Sequence, residues 1–340
     1  MAHRRGIFFM LFWMIYSFAY LIIFELLFFP GQLLYILGVQ RSALVSSLWF
    51  QIFYQITIFL LPLTIWLAFF KEKINTHLPH MKLGKTNIIY IIGLSIFVQP
   101  AMMVVSGITN IFFPNEIGEF LMGSMNQPFW LLILAIAVTP AICEEVVFRG
   151  YVQSTYKNKP LITMLLINGL FFGIMHMNGH QFFFAFLAGV LFAYMVHATR
   201  SIRAGIIAHF IMNASQVSLM WFSFQLLRWT KSQGKQLEQA TAVTVNGVSE
   251  ANYEMVGTII AFATLGIIAI GATVCAVYLF YQFVKHNKKR VAEYEATLES
   301  VDTTEEIIIE PEVKRKNLII DSSLILAIVT LYVFFVFGIR

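Results

Sequence analysis

Charged residues are scarce in this chain: Asp, Glu, Lys and Arg make up 12% of its 340 residues, whereas hydrophobic residues make up 59%. A soluble domain is usually about one-quarter charged and about half apolar. The composition therefore excludes an ordinary soluble domain and indicates a polytopic membrane protein.

Cysteine is almost absent as well. Cys143 and Cys275 are the two cysteines of the chain, and they lie in apolar runs far apart in sequence. This excludes a disulfide framework and a cysteine-rich zinc site. The net charge of +5 is small for this length and lies mostly between apolar runs, which indicates membrane topology and no nucleic-acid partner.

Long apolar runs dominate what is present. A helix needs about 20 residues to cross about 30 Å of hydrocarbon, so this chain has room for about eight or nine crossings. The runs are 7–29, 43–70, 87–105, 129–151, 161–177, 182–199, 204–224, 256–284 and 318–338. We therefore predict an all-α fold, a polytopic transmembrane helix bundle of about eight or nine spans. The first run is too long for a signal-peptide core, so we expect it to remain as a helix.

The basic residues follow these runs in a regular way. With the N-terminus in the cytoplasm, the clusters at Arg4, 71–85, 157–159, 200–203 and 285–290 all fall on one side. That is the positive-inside rule, satisfied by nine spans and an external C-terminus. The sequence thus predicts a multi-pass cell-membrane protein surrounded by membrane lipids. The abundance of Phe, Ile and Lys points to a bacterial origin.

Three parts of the chain are distinguished. Residues 1–128 hold the N-terminal transmembrane helices and a mixed segment, 109–128, expected to be a loop with an interfacial helix. Residues 129–224 form a core of four helices. Residues 225–340 hold the C-terminal helices and a charged linker expected in the cytoplasm.

Acidic residues are nearly missing from the middle of the chain. Between Glu119 and Glu238 the only acids are Glu144 and Glu145. A carboxylate at bilayer depth is costly unless it is paired or lines a wet cavity, so it indicates function. Glu145 precedes Arg149 by four residues, the favourable order for a helical ion pair. Glu144 lies about 100° round the helix and is less neutralised, which makes it the better general base.

Two further pairs have the same spacing of four residues. Phe172 and His176 form one pair, and His209 and Asn213 the other, so each pair projects from one side of its helix. Glu144 and one histidine could activate water, while the other histidine and the Asn213 amide donate to a developing oxyanion. A lone histidine would more often join helices through hydrogen bonds. The combination favours a site for peptide hydrolysis.

Over residues 129–215 the chain resembles the CAAX-protease and bacteriocin-processing (CPBP, or Abi) family of intramembrane glutamate endopeptidases. The motifs that carry the resemblance are E-E-x-x-x-R at 144–149, F-x-x-x-H at 172–176 and H-x-x-x-N at 209–213. The resemblance implies an all-helical, metal-independent protease, in which a glutamate and a histidine activate water and the second histidine and asparagine stabilise the oxyanion. The predicted catalytic residues are Glu144, Glu145, Arg149, His176, His209 and Asn213, with Phe172 predicted to bind substrate.

Alternatives remain open at this point. Two histidines and a glutamate could form a catalytic zinc site, as in a zinc-dependent CAAX prenyl endopeptidase, although H-E-x-x-H is missing and Arg149 would oppose a cation. A non-catalytic scaffold or bacteriocin-immunity protein could bind a peptide without cutting it. A transporter with a carboxylate pair would call for an inverted repeat, and none is visible. The predicted partner is a hydrophobic or lipidated peptide.

The predicted topology conflicts with a compact site. A straight helix starting at Leu161 would carry His176 about 22 Å inward, toward the far side from Glu144. We therefore expect a bend or tilt near Pro140 or Pro160, or near the glycines of 169–173.

Overall fold

The computed structural model describes residues 2–28, 47–238 and 250–305, and all structural statements below concern this part of the chain. Within it the structure is helical, without a β-strand. The helices are α1 (Ala2–Phe28), α2 (Leu48–Phe70), α3 (Lys85–Thr109), α4 (Glu116–Ser124), α5 (Phe129–Thr155), α6 (Leu161–Met175), α7 (Gly179–Thr199), α8 (Ile202–Glu238) and α9 (Glu250–Glu305).

Five segments in this part are long and apolar enough to cross a membrane. They are α2, α3, α5, α7 and the portion Gly266–Tyr294 of α9. The predicted all-α polytopic bundle is thereby confirmed. α6 is apolar but shorter, at 15 residues. The predicted span at 318–338 and the external C-terminus lie outside the described residues.

The predicted limits agree unevenly with the helices. The mixed segment 109–128 contains α4, and α5 begins directly after Pro128, at the predicted start of the core. α8, in contrast, continues past residue 224 to Glu238 without a break. The division of the chain into three parts stays a prediction.

Glycines allow α6 and α7 to lie against each other. A Cβ atom on Gly169 would come within 2.8 Å of the Phe186 carbonyl oxygen, and one on Gly189 within 2.9 Å of the Gly169 Cα. Small residues let two helix backbones approach closely, which is how apolar helices pack where burial in lipid supplies no driving force. α6 and α7 consequently form a tight antiparallel pair.

α5 lies at the centre of the arrangement. α8 runs antiparallel to it, since His209 lies beside Glu145 while Val217 packs with Leu131 further along. α7 runs parallel to it, because Arg149 donates to the Gly189 carbonyl oxygen and Gln153, one turn later, donates to the Ala193 carbonyl oxygen. Side chains projecting from α5, α7 and α8 can therefore meet at one level.

Basic residues gather at one end of the bundle. Arg5 of α1 pairs with Glu72 after α2, and Arg290 of α9 donates to the Thr199 carbonyl oxygen at the end of α7. The segment between α2 and α3 is tied to the same end, where the Met81 N–H donates to the carbonyl oxygen of Arg200. The predicted clusters thus share one end; the side of the membrane on which it lies stays a prediction.

Candidate active site

Arg149 and Glu145 form a fully buried ion pair on α5. The Arg149 Nη1 donates to Glu145 Oε1 at 2.8 Å, and neither side chain is exposed. The Nη2 donates to the Gly189 carbonyl oxygen of α7 at 3.2 Å. The pair therefore has the geometry that the four-residue spacing predicts, with the guanidinium also held by a neighbouring helix.

His209 lies between the two glutamates. Its Nδ1 donates to Glu145 Oε1 at 3.1 Å, and its Nε2 lies 3.9 Å from Glu144 Oε2. A carboxylate only accepts, so the contact with Glu145 fixes the proton on Nδ1. In the neutral ring the Nε2 lone pair therefore faces Glu144, and in the imidazolium the Nε2 proton does.

Glu144 is buried, with 6% of its surface exposed, yet it makes few polar contacts with the described residues. Its Oε2 makes no hydrogen bond within the described part of the chain and lies 3.9 Å from His209 Nε2. Glu145 Oε1, in contrast, accepts from both Arg149 and His209, although Glu145 Oε2 is likewise buried without a hydrogen bond among the described residues. The two adjacent carboxylates therefore differ in their contacts: one oxygen of Glu145 is held by Arg149 and His209, while neither carboxylate oxygen of Glu144 accepts a hydrogen bond from a described residue.

The Phe172 ring joins the parts of the site. Its centroid lies 5.2 Å from the His176 ring, 5.7 Å from the His209 ring and 4.2 Å from the Arg149 guanidinium carbon. The ring lies edge-to-face with both imidazoles. Phe172 thus fixes the positions of the side chains around it, and its predicted contact with substrate stays a prediction.

His176 follows the last residue of α6. Its Nδ1 contacts the Phe172 carbonyl oxygen at 2.8 Å, and since a carbonyl only accepts, Nδ1 carries the proton. The Nε2 of the neutral ring is then left with its lone pair. The next residue, Met177, has φ 45°, so the chain turns sharply away and leaves the histidine at the helix end. His176 and His209 come together against Phe172, although the predicted spans would separate them.

Asn213 is half-buried on α8, one turn after His209. Its Nδ2 donates to the Ile136 carbonyl oxygen at 3.0 Å. Pro140 has no N–H, so this carbonyl lacks its usual donor four residues later. α5 also widens here into a π-helical segment, Leu134–Val138, of a kind that is frequent at functional sites. The second hydrogen of the Asn213 amide is not used by this contact.

Sequence reasoning missed three residues of this site. Gly205, one turn before His209, faces Glu145 so closely that a Cβ would collide with the carboxylate. Gly189 supplies the carbonyl that accepts from Arg149, and the Phe192 ring stacks on His209 at 5.4 Å. The spacing of Gly205 from His209 was a usable signal, whereas nothing in the sequence marks Gly189 or Phe192.

No group of three His, Cys, Asp or Glu side chains in the described ranges is arranged to hold a metal ion. Cys143, in the middle of the motif region, is buried and carries no disulfide. Whether the protein uses zinc is tested by measuring cleavage in the presence of excess chelator.

Residues 126–215 match the family model described as Type II CAAX prenyl endopeptidase Rce1-like. The matched part is about a quarter of the chain and contains every predicted site residue. The resemblance predicted from the three motifs is thus confirmed over this part, and it supports a membrane endopeptidase in general. The comparisons found no matching curated protein and no matching solved structure.

Proposed function

We propose that this protein is an intramembrane endopeptidase in which Glu144 is the general base. The observation that carries the proposal is the contrast between the two buried carboxylates. The Oε2 atoms of both glutamates are buried without a hydrogen bond among the described residues, but Glu145 Oε1 accepts from Arg149 and His209, whereas the Glu144 carboxylate accepts from no described residue. A general base needs a free acceptor within reach of the proton that it takes.

The nucleophile in this proposal is water held by Glu144 and the Nε2 of His176. Water oxygen attacks the peptide carbonyl carbon while one water proton passes to Glu144. The carbonyl oxygen becomes an oxyanion, which accepts from the Nε2 proton of His209 in its imidazolium form and from the unused hydrogen of the Asn213 amide. As the C–N bond breaks, Glu144 returns its proton to the leaving amine, and the base is regenerated.

Arg149 and Phe172 act through other residues in this scheme. Arg149 holds Glu145, and Glu145 in turn fixes the proton of His209 on Nδ1. Phe172 contacts both imidazole rings and packs against the guanidinium. These contacts set the geometry before substrate binds. Such preorganised groups are the main source of electrostatic stabilisation of the transition state in many enzymes.

The proposed substrate is a membrane-associated or hydrophobic peptide, because the site lies within apolar helices. A lipidated C-terminal tail is the second candidate, since the matched family model is named for prenyl endopeptidases. The proposed setting is the cell membrane, with the basic end of the bundle in the cytoplasm.

The test is cleavage of quenched hydrophobic peptides, with and without a prenyl group, by purified full-length protein in detergent. Wild type is compared with Glu144→Gln, with Glu119→Gln as matched control, and with wild type in excess chelator. Glu119 is an exposed glutamate outside the site. General acid–base catalysis contributes about 100- to 10,000-fold, so Glu144→Gln should lose at least that much.

The outcomes separate the alternatives. Cleavage that survives the chelator and disappears only in Glu144→Gln supports a metal-free glutamate protease. Loss of cleavage in chelator, restored by zinc, would replace it with the zinc enzyme. Binding of these peptides without cleavage by wild type would favour the scaffold or immunity protein. Cleavage of the prenylated peptides alone would select the lipidated substrate.

A further inference from the structure

A cavity of about 640 Å³ lies at the basic end of the bundle, apart from Glu144, His176 and His209. It is bordered by the ends of α5 and α7 and by the segment that joins α2 to α3. Its lining includes Arg5, Arg149, Lys157 and Arg200 against a single carboxylate, Glu72. The volume is that of a small-molecule site, and the charge of its lining favours an anion.

The cations of the cavity are not equally engaged. Arg5 pairs with Glu72, and the Arg200 guanidinium carbon lies 3.2 Å from the centroid of the Tyr294 ring. Lys157 is exposed and has no ion-pair partner in the described part of the chain. The cavity therefore has at least one cation available to a ligand.

Two buried polar atoms beside the cavity point in the same direction. Arg149 uses Nη1 for Glu145 and Nη2 for Gly189, but its Nε has no hydrogen-bond partner among the described residues. The Gln153 Oε1 is likewise buried without a partner. Both side chains line the cavity. A buried donor left unpaired is costly, so each such atom requires an explanation.

We infer that this cavity binds the phosphate of an anionic amphiphile at the membrane interface. A phosphate ester offers several acceptor oxygens to guanidinium and ammonium donors at once. Basic pockets at the ends of transmembrane helices are where lipid headgroups lie. Apolar side chains in the same lining, Leu78, Met164 and Val196, would contact the first carbons of its chains.

Arg149 connects this cavity to the candidate active site. The same guanidinium that lines the cavity holds Glu145, which holds His209. A phosphate bound beside Arg149 would compete with Glu145 for the positive charge of the Arg149 guanidinium. Occupancy of the cavity would therefore act on the position of His209, at a site separate from the reacting groups.

The experiment measures ligand retention by native mass spectrometry of the full chain in non-ionic detergent, without any cleavage step. Phosphatidylglycerol is compared with phosphatidylcholine of the same acyl chains and with glycerol phosphate. The variant is Lys157→Ala, and the matched control is Lys159→Ala, an exposed lysine two residues away that does not line the cavity. Size-exclusion profiles check that each protein is folded.

Wild type and Lys159→Ala should retain phosphatidylglycerol over phosphatidylcholine, and Lys157→Ala should bind it about fivefold more weakly. Glycerol phosphate that binds as tightly as the lipid and depends on Lys157 in the same way would support the phosphate site and contradict its assignment to a lipid. Equal retention of the two lipids, or equal loss in the two lysine variants, would overturn the proposal. Glu144→Gln should bind like wild type, so this test does not depend on the proposed proteolysis.

Discussion

Asn213 of α8 donates to the Ile136 carbonyl oxygen of α5, the carbonyl whose α-helical donor is removed by Pro140. The contact joins the predicted oxyanion donor to the irregular part of the central helix. It orients the Asn213 amide with one hydrogen bound to the backbone and one unused. A residue of the proposed mechanism is thus positioned by a proline in another helix.

Asn213→Ala should lower kcat about 100- to 1,000-fold, because removal of one oxyanion donor typically costs this much. It should also destabilise the protein by ~1–3 kcal/mol, since the Ile136 carbonyl loses its donor. The measurements are steady-state cleavage and thermal unfolding in detergent. Asn168→Ala is the control: Asn168 is buried and donates to the Met164 carbonyl oxygen within α6. It should lose stability and keep kcat, and an equal loss of kcat in both would contradict the oxyanion role.

Arg149→Ala should destabilise the protein by ~3–5 kcal/mol, because it leaves the Glu145 carboxylate buried without its partner. The double variant Glu145→Gln/Arg149→Met should recover a large part of this loss, as no unpaired charge remains. Thermal unfolding in detergent measures both. Lys289→Ala removes a pair of the same i, i+4 spacing whose side chains are exposed, and it should change stability little. An Arg149→Ala protein that is no less stable than wild type would show that the buried pair is not needed for folding.

Gly205→Ala should disturb the site by displacing the Glu145 carboxylate. The added methyl would collide with the Glu145 carboxylate and come within 3.0 Å of a Val196 methyl group. We expect lower thermal stability and a fall in kcat, since Glu145 must move away from His209. The matched control is Gly107→Ala on α3, where a Cβ meets nothing within 4 Å, and it should be neutral or stabilising by up to ~1 kcal/mol. Full activity in Gly205→Ala would mean that α8 can shift without cost.

His77, in the segment between α2 and α3, should make the basic end sensitive to acid. Burial lowers the pKa of His77 from its ordinary value of 6.5; Glu72 acts in the opposite sense, while Lys157 and Arg5 lower it further. The folded protein thus favours the neutral ring, and the unfolded chain takes up more protons as the pH falls below 6.5. This contribution to stability is therefore present above the ordinary pKa and is lost as the pH falls through the lower pKa of the folded state.

The difference in unfolding temperature between pH 7.5 and pH 5 measures this effect. His77→Gln should lose less stability on acidification than wild type, because it has no ring to protonate. His80→Gln, at an exposed histidine of the same segment, should lose as much as wild type. An unchanged pH dependence in His77→Gln would assign the acid sensitivity to other groups.

Short-range spacing explains why part of the site was predictable. Glu145 and Arg149 lie on one helix, so four residues along the chain suffice to place them in contact. The i, i+4 pairs at His176 and His209 were found in the same way. Which histidine lies beside Glu144 could not be read from these spacings, because it depends on the order and direction of three packed helices.

The bend expected near Pro140 or Pro160 also shows where prediction reached its limit. Proline and glycine mark positions where a helix can deviate, but they do not say how. α5 deviates through π-helical segments on both sides of the glutamates, and α6 ends at Met175 with a sharp turn at Met177. These features depend on contacts between helices, such as the one from Asn213.

The sequence by itself determined that this is a membrane-spanning helical protein with a Glu-Glu-Arg, two-histidine and asparagine set, because hydropathy and helical periodicity are local properties of the chain. Only the tertiary structure decided that one oxygen of Glu145 is held by both Arg149 and His209 while the Glu144 carboxylate accepts no hydrogen bond from a described residue. Neighbouring residues of one helix point in different directions, and the partner that each one meets is set by which helix packs on that side.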